Sequence, residues 1–295
     1  VMLDMLQDPE RPIIFLALAG AMVPGGLRMT LRNMIDLRMI DVLVSTGANL
    51  YHDVHEALGF HHYLAQKTVS DLVLRRHQVN RMFDVYASNK EFIRTDAFIK
   101  NFADSLQPKR YSTRDFLRML GDKLQDKHSI LSTAAKKNIP VFCPAISDSG
   151  IGLSLAWHTQ KRKEQEQKSI LIDTIQDNLE ILKLKIESKK SGAIHIGGGV
   201  PKNYIQQIAP LAEILNIKTS PHSYGVQITT DDPKWGGLSG CTFSESQSWG
   251  KYADNARFAI VYMDATIGLP LLFTACLEMK KTWYPRKAMK IDFSK

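Results

Sequence analysis

The chain has 295 residues, of which 44% are hydrophobic and 23% are charged, so it can bury a full core in one or two domains. This composition excludes disordered and fibrous proteins. No stretch approaches the roughly 18 apolar residues of a membrane span, so we expect no membrane segment. The three cysteines are far apart and odd in number, which argues against a disulfide framework and a cysteine zinc site and favours a cytoplasmic location.

The balance of 38 basic and 30 acidic residues gives a formal net charge of +8. A basic chain is sometimes a nucleic-acid-binding protein. Here the basic residues are scattered among acidic ones, so we expect no nucleic-acid partner. The chain has no repeat and no Pro/Gly/Ser-rich linker, which predicts a single domain over residues 1–295.

Six short runs rich in β-branched residues recur along the chain, each followed by a turn and then by a helical pattern. Alternation of strands and helices indicates a parallel sheet with crossover helices, an α/β fold. The predicted strands are 13–20, 40–47, 139–145, 193–199, 224–230 and 258–265, and the predicted helices are 27–37, 90–104, 112–137, 168–189, 202–215, 245–251 and 267–280.

The predicted helix 168–189 carries apolar residues at roughly helical spacing, which we interpret as a stripe that faces the core. The segment KRKEQEQK, residues 161–168, mixes both signs of charge and predicts a solvated face. The apolar stripe consists of Ile170, Ile172, Ile175, Leu179, Leu182 and Ile186.

Polar or glycine-rich turns follow nearly every predicted strand, where ligands of open parallel sheets bind. Glycines let a backbone approach a phosphate, and the helix that follows supplies unpaired N–H groups. The turns GGGVPKN (197–203) and GGLSG (236–240) therefore suggest a dinucleotide or similar phosphate ligand, although neither is a GxGxxG motif. Asp148 and Asp264 follow strands at positions where a carboxylate either holds a ribose hydroxyl or caps a turn or helix.

The segment SESQSWGK, residues 244–251, combines an acid, an aromatic residue and a lysine. On one helix Glu245 and Trp249 share a face, which suits an organic cation by ion pairing and cation–π attraction. An enclosed Lys251 would serve as an amine nucleophile toward an imine or a carbonyl. The alternative is a surface lysine at a helix end.

Four histidines cluster in YHDVHEALGFHH. His52 and His55 would lie near one another on a helix, with a third metal ligand from His62, Asp53 or Glu56. The alternative, solvated or capping histidines, is the simpler reading because HExxH is absent, and we expect no metal.

Six motifs occur in chain order: LVSTGAN, FCPAISDSGIG, GGGVPKN, TDDP followed by GGLSG, ESQSWGK and YMDAT. Together they resemble the deoxyhypusine synthase family. The resemblance extends from about Pro12 to Ala275, and SWGK with its nearby glutamate is specific to that family. It implies a Rossmann-like domain, in which an open, mostly parallel sheet has helices on both faces. It also implies a tightly bound NAD and homotetramers with active sites at dimer interfaces.

In that family NAD oxidises spermidine, 1,3-diaminopropane leaves, and a lysine holds the aminobutyl group as an imine before the group passes to an acceptor amine. The resemblance makes Lys251 that lysine, and Glu245 and Trp249 the polyamine-binding residues. For NAD it implies the loop positions Thr46, Gly47, Asp148, Gly197, Gly198, Thr230, Ser239, Asp264 and Ala265.

Several positions depart from the family pattern. Asn203, a candidate catalytic residue, stands where the eukaryotic enzymes have a pocket histidine, and Trp235 stands for an NAD-binding aspartate. Leu153 and Leu238, candidate substrate-binding positions, replace two aspartates that hold spermidine amines. Each lost charge-assisted bond costs roughly 1.5–3 kcal/mol, so we expect spermidine to be a poor donor.

These departures resemble the bacterial and archaeal branch of the family, in which some members make polyamines such as homospermidine. We therefore expect an NAD-dependent aminobutyl-type transferase that acts on a polyamine through a Lys251 imine, with a protein lysine or a small amine as acceptor. A homospermidine synthase-like enzyme that uses putrescine or agmatine is one alternative, and a non-catalytic NAD-binding scaffold is another. Imine formation requires a neutral amine, so Lys251 should be buried beside Trp249 at the mouth of the nicotinamide site.

Overall fold

Parallel strands dominate the computed structural model, which describes residues 1–65, 69–289 and 293. One sheet has the spatial order β11-β10-β9-β1-β2-β7, a small antiparallel sheet has the order β3-β5-β4, and β6 pairs with β8. These strands are β1 (Ile13–Leu18), β2 (Val42–Ser45), β3 (Tyr63–Leu64), β4 (Val79–Met82), β5 (Val85–Ser88), β6 (Arg110–Tyr111), β7 (Val141–Phe142), β8 (Leu171–Ile172), β9 (Ser191–Ile196), β10 (His222–Thr229) and β11 (Tyr252–Tyr262).

The winding of the large sheet reverses between β1 and β9, because β2 and β7 lie on one side of β1, and β10 and β11 lie beyond β9. All the pairings in this sheet are parallel. This is the strand order of doubly wound dinucleotide-binding folds. The predicted Rossmann-like α/β fold is therefore confirmed, and each predicted strand overlaps one strand of this sheet.

Helices connect the strands on both faces of the sheet. They are α1 (Met2–Gln7), α2 (Arg28–Asp36), α3 (Gly47–Ala57), α4 (Asp71–Arg76), α5 (Asn89–Asp104), α6 (Thr113–Lys123), α7 (Ile130–Lys137), α8 (Gly150–Glu164), α9 (Thr174–Ile186), α10 (Gly199–Gln206), α11 (Ile208–Ile214), α12 (Phe243–Gln247) and α13 (Ala265–Glu278), with short helical turns at Val23–Leu27, Pro233–Trp235, Leu238–Gly240 and Lys280–Thr282. None of the helices in the described ranges combines the length and the apolar character that a bilayer crossing demands.

Two predicted helices are interrupted in the structure. The helix predicted for 112–137 is divided into α6 and α7. Ser129 caps α7 by accepting from the amide of Ser132, and the carboxylate of Asp53 in α3 accepts hydrogen bonds from the amides of Ile130 and Leu131, both at 2.9 Å. Ser129 is a local cap residue, whereas the bonds from Asp53 join distant segments and leave no local signal. The helix predicted for 202–215 is likewise divided, into α10 and α11.

The two faces of the sheet bury separate apolar clusters. On β1, Phe15 and Ala17 face the cluster that includes residues of α9, α10 and α11, whereas Ile14 and Leu16 face the cluster that includes residues of α2, α3, α7 and α13. Both faces of this central strand are fully buried, which is why its sequence is continuously apolar rather than alternating.

The predicted stripe of α9 is only partly correct. Leu182 is buried, but Ile175 is 71% exposed and Leu179 is half exposed. The helix instead buries Asp177, which accepts from the amide and hydroxyl of Thr113. It also buries Glu180, whose two oxygens accept from Arg114. Ion pairing with α6 therefore sets the rotation of α9.

Three histidines link α3 to the loop that follows it. Nδ1 of His52 lies 2.9 Å from Nε2 of His62, and Nδ1 of His62 lies 2.7 Å from a Glu56 oxygen. His55 is fully buried and bonds the hydroxyl of Thr95 in α5. Over the described ranges, no group of three or more His, Cys, Asp or Glu side chains is arranged to hold a metal ion.

This cluster makes the fold sensitive to acid. Burial lowers the pKa of His52 to about 3 and that of His55 to about 4, from an ordinary value of 6.5. Unfolded chains bind these protons near pH 6.5, so stability is greatest above that pH and falls as pH decreases toward 4. We expect His52→Gln to reduce the change in unfolding free energy between pH 7 and pH 5 by on the order of 1–2 kcal/mol, measured by urea unfolding at each pH.

His128→Gln is the matched control, because His128 is exposed and should leave the pH dependence unchanged. Equal pH dependence for wild type and His52→Gln would show that His52 takes up its proton without unfolding the chain.

Candidate active site

The carboxyl ends of the parallel strands bring the predicted NAD-binding positions to one edge of the sheet. Leu18 pairs with both Ser45 and Ile196, so β1, β2 and β9 end at the same level. Thr229 pairs with Tyr262 at the end of β10 and β11. The loops beyond these ends and beyond β7 contain Thr46, Gly47, Asp148, Gly197, Gly198, Thr230, Ser239, Asp264 and Ala265.

The glycines of this edge have different physical roles. A Cβ on Gly47 would lie 2.3 Å from the Ser149 hydroxyl, and one on Gly198 would lie 2.3 Å from Cα of Ser239. These two glycines therefore allow protein segments to pack together. Gly199, at the start of α10, has a φ of +57° and open space where a Cβ would stand, and Gly26 after β1 and Gly236 after β10 also combine a positive φ with open space, so these glycines leave room for a ligand.

Most polar side chains at this edge already have protein partners. The hydroxyl of Thr46 donates to the carbonyl of Gly20 at 2.7 Å. Asp264 caps α13 by accepting from the amide and hydroxyl of Thr266, and these hydrogen bonds lower the pKa of its carboxyl group. Asp148 is exposed, and the cap of α8 is its neighbour Ser149.

Lys251 is buried, as predicted, with 9% of its surface exposed. Its amide donates to the carbonyl of Ser246 at 3.2 Å, and its carbonyl accepts from the amide of His222 at 3.0 Å. Its Nζ lies 5.3 Å from the ring centroid of Trp249. The helix predicted for 245–251 ends at Gln247, so Lys251 lies in the turn that precedes β11 rather than on the helix.

The other predicted substrate-binding residues are open to solvent in one chain. Trp249 is 62% exposed and Leu153, on α8, is 69% exposed. Glu245 is exposed in the first turn of α12, and Asn203 is half-buried on α10. The side chain of Leu238 lies outside the described part of the chain.

Lys251 and the NAD-binding edge lie at opposite ends of β10. The backbone of Lys251 bonds His222, the first residue of that strand, whereas Thr229 and Thr230 mark its end. Seven residue steps of β-strand span roughly 23 Å. A lysine side chain covers only a fraction of that distance.

A buried lysine that the sequence analysis did not single out lies between the two glycine-rich loops. Lys202, on α10, is 1% exposed. Its Nζ donates to the Gln227 side chain at 2.9 Å and to the carbonyls of Ser239 and Cys241 at 3.2 and 2.6 Å. The GGGVPKN motif contains this residue, but a lysine after a glycine turn carries no signal that it is buried.

The sequence is similar to a family and to individual proteins over most of its length. The deoxyhypusine synthase family matches residues 1–276. A protein of Methanosarcina acetivorans named "Probable deoxyhypusine synthase 2" is 44% identical over 279 residues, 93% of this chain and 79% of that protein. A "Deoxyhypusine synthase-like protein" of Chlorobaculum tepidum is 38% identical over 295 residues, 98% of this chain and 83% of that protein.

The fold is similar to that of a solved structure. A crystal structure described as a candidate deoxyhypusine synthase from Entamoeba histolytica superposes with a TM-score of 0.65 at 19% identity, covering 98% of this chain and 88% of that chain. At that identity the likeness speaks for the fold alone. The sequence matches cover nearly the full length of the chain, and they show that it belongs to the deoxyhypusine synthase family.

Proposed function

We propose that this protein is an NAD-dependent transferase that moves an aminobutyl-type group from a polyamine through an imine on Lys251. The observation that carries the proposal is the setting of Lys251: a lysine in a family-specific motif, buried, and fixed by hydrogen bonds through both its amide and its carbonyl. A surface lysine at a helix end, the alternative, would not have this burial. The fixed backbone presents the amine beside Trp249.

The residues at the carboxyl edge of the sheet fit NAD. Gly199 opens space at the start of α10, and this helix begins where the winding of the sheet reverses, a position that suits a pyrophosphate. Thr46, Asp148 and Asp264 are the residues that we propose contact the ribose and nicotinamide parts. When bound, the cofactor would accept a hydride from the donor amine and return it at the end of the reaction.

Two chains are needed to complete such a site. The backbone of Lys251 lies roughly 23 Å from the NAD edge of its own chain, and exposed Trp249 and Leu153 have no cover within it. A second chain that faces Lys251 with its own NAD edge resolves both features. We therefore propose a homotetramer with active sites at dimer interfaces.

The charges of the proposed pocket bear on the choice of donor. Leu153 is exposed at the surface and offers no carboxylate to a spermidine amine. This favours donors with fewer charges, such as putrescine or agmatine, and supports a homospermidine synthase-like reaction as the second candidate function. The acceptor is either a protein lysine or a small amine. A cytoplasmic location, one domain over residues 1–295 and the lack of a nucleic-acid partner stay predictions.

Lys251→Arg tests the covalent step. Arginine keeps the charge but forms no imine, so we expect group transfer to fall by at least a thousandfold while NAD affinity, measured by calorimetry, stays within about twofold. The assay incubates enzyme and NAD with a panel of amines, followed by mass spectrometry of small products and of the peptide that contains Lys251.

Lys234→Arg is the matched control, because Lys234 also lies over a tryptophan ring, that of Trp235 at 5.0 Å, but is exposed. It should transfer at the wild-type rate. Transfer by Lys251→Arg at that rate would refute the covalent mechanism, and no turnover of any amine by wild type would favour the scaffold alternative.

Subunit complementation tests the two-chain site. Gly199→Asp should block NAD, because aspartate tolerates a positive φ and a helix start but repels a phosphate. Co-expressed with Lys251→Arg, half of the dimers would be mixed, and each would hold one intact site. We expect about a quarter of wild-type activity from two inactive variants, measured per mole of dimer. No recovery in purified mixed dimers would place Lys251 and NAD of one chain in the same site.

Leu153→Asp tests donor choice. A restored carboxylate should raise kcat/KM for spermidine by roughly tenfold or more, the value of one charge-assisted bond, with little change for putrescine. Leu153→Asn, of equal size but neutral, is the control and should gain far less. Efficient cleavage of spermidine to 1,3-diaminopropane by the wild type would show that the departures from the family pattern do not set the donor.

A further inference from the structure

The side-chain amide of Asn49 connects the first turn of α3 to the loop that follows β1. Asn49 is fully buried. Its Oδ1 accepts from the backbone amides of Met22 and Val23, at 2.6 and 3.3 Å, and its Nδ2 donates to the carbonyls of Ala19 and Gly20, at 3.3 and 3.2 Å. Because a backbone amide can only donate and a carbonyl can only accept, these partners fix which end of the side chain carries the oxygen.

The same chemistry fixes the direction of both hydrogen bonds of the Thr46 hydroxyl. This hydroxyl accepts from Nδ2 of Asn49 at 2.9 Å and donates to the carbonyl of Gly20 at 2.7 Å. A hydroxyl has one hydrogen and two lone pairs. The hydrogen and one lone pair of Thr46 are therefore in use inside the protein, and what remains for a ligand is a single lone pair.

The remaining lone pair of Thr46 is available to a bound molecule. Thr46 is only half-buried at the carboxyl edge of the sheet, and the loop that it bonds leads to Gly26, where a Cβ would meet open space. A lone pair attracts an N–H or O–H group and repels the oxygen of a phosphate or a carbonyl. NAD offers suitable donors in its ribose hydroxyls and in the N–H groups of its carboxamide.

We propose that Thr46 selects a hydrogen-bond donor of NAD, a ribose hydroxyl or the carboxamide N–H, and that Asn49 is the positioning residue that leaves Thr46 in this accepting state. The proposal rests on the NAD-dependent function proposed above. Asn49 acts in two ways. It occupies one lone pair of Thr46, and it holds the loop after β1 so that the carbonyl of Gly20 takes the Thr46 hydrogen.

Thr46→Val tests the selection, since valine has the shape of threonine without the hydroxyl. Calorimetry compares the affinity for NAD with that for its monodeoxy analogues, each of which lacks one ribose hydroxyl, and for its acetylpyridine analogue, which lacks the carboxamide N–H. We expect at least one analogue whose affinity relative to NAD differs by about fivefold to tenfold between wild type and Thr46→Val, the value of one hydrogen bond. That analogue identifies the donor. Equal ratios in both proteins for every analogue would overturn the proposal.

Asn49→Leu tests the positioning role, because leucine is of similar size but has no polar atoms. The loop after β1 then loses its anchor, and the Thr46 hydroxyl is free to turn its hydrogen toward a ligand. We expect the affinity ratio of NAD to the identified analogue to fall about as far as in Thr46→Val. A residue with only a structural role would lower the melting temperature and leave this ratio unchanged, since unfolding weakens the binding of both ligands equally. That result would overturn the proposed role of Asn49. Should Asn49→Leu not fold, the same fall is required of Asn49→Ala, which also lacks the amide.

Thr282→Val is the matched control. The Thr282 hydroxyl also donates to a carbonyl, that of Met279, and accepts from a side-chain amide, that of Gln7, both at 2.7 Å. It lies beyond the end of α13, whereas Asp264 at the NAD edge caps the start of that helix. Thr282→Val should therefore leave every affinity ratio at its wild-type value. Failure of the proposed function gives a different result, the absence of NAD binding to the wild type at millimolar cofactor, whereas NAD binding with unchanged ratios overturns the present proposal alone.

Discussion

The parallel pairing of β10 and β11 is the constraint on which the geometry of the site depends. A strand parallel to its neighbour starts at the edge of the sheet opposite to where that neighbour ends, so the chain must cross the full height of the sheet between them. Residues 230–251 make this crossing. Lys251 is its last residue, and the glycine-rich loop is its first part, so one segment contributes to both edges of the sheet.

Aromatic packing fixes the path of this crossing. Phe243, at the start of α12, lies over Gly225 of β10, where a Cβ would come within 2.5 Å of its ring. Its ring also contacts those of Tyr252 and Phe258, at centroid distances of 4.9 and 5.1 Å. Lys202 thus holds the first part of the crossing, Phe243 holds its middle, and the hydrogen bond between His222 and Lys251 holds its last residue.

Local sequence patterns predict the strands well and the rotation or interruption of helices poorly. β1 is a continuous apolar run because both its faces are buried. At the break between α6 and α7, the local cap Ser129 is joined by Asp53, about 77 positions away in the chain. Ile175 of α9 is exposed, while Glu180 of the same helix is buried in an ion pair with α6. Hydrophobic periodicity does not encode such a contact between distant segments.

The motifs located the candidate residues but not their spatial relation. SESQSWGK and the strand-end turns predict the chemistry of the site, since each contains residue types that a ligand needs. Their placement at opposite ends of β10 depends on topology, which those motifs do not contain. Gly47 and Gly198 are predicted to contact NAD, and their missing Cβ atoms also allow close contacts with Ser149 and Ser239. Gly199 has open space instead, a difference that depends on its surroundings and not on its motif.

A cationic donor has to enter a protein whose own formal charge is +8. Net charge does not decide this encounter, because salt at physiological ionic strength screens charges beyond about 8 Å. What the donor meets is the local set: Glu245, exposed on α12, and Trp249, whose open ring face attracts cations. The positive charges nearby are those of Lys251 and, behind the loop, Lys202. A donor with two or more amines would need further carboxylates, and where the family pattern has one this chain has Leu153. The short supply of acids beside these lysines therefore agrees with the proposed donor of low charge.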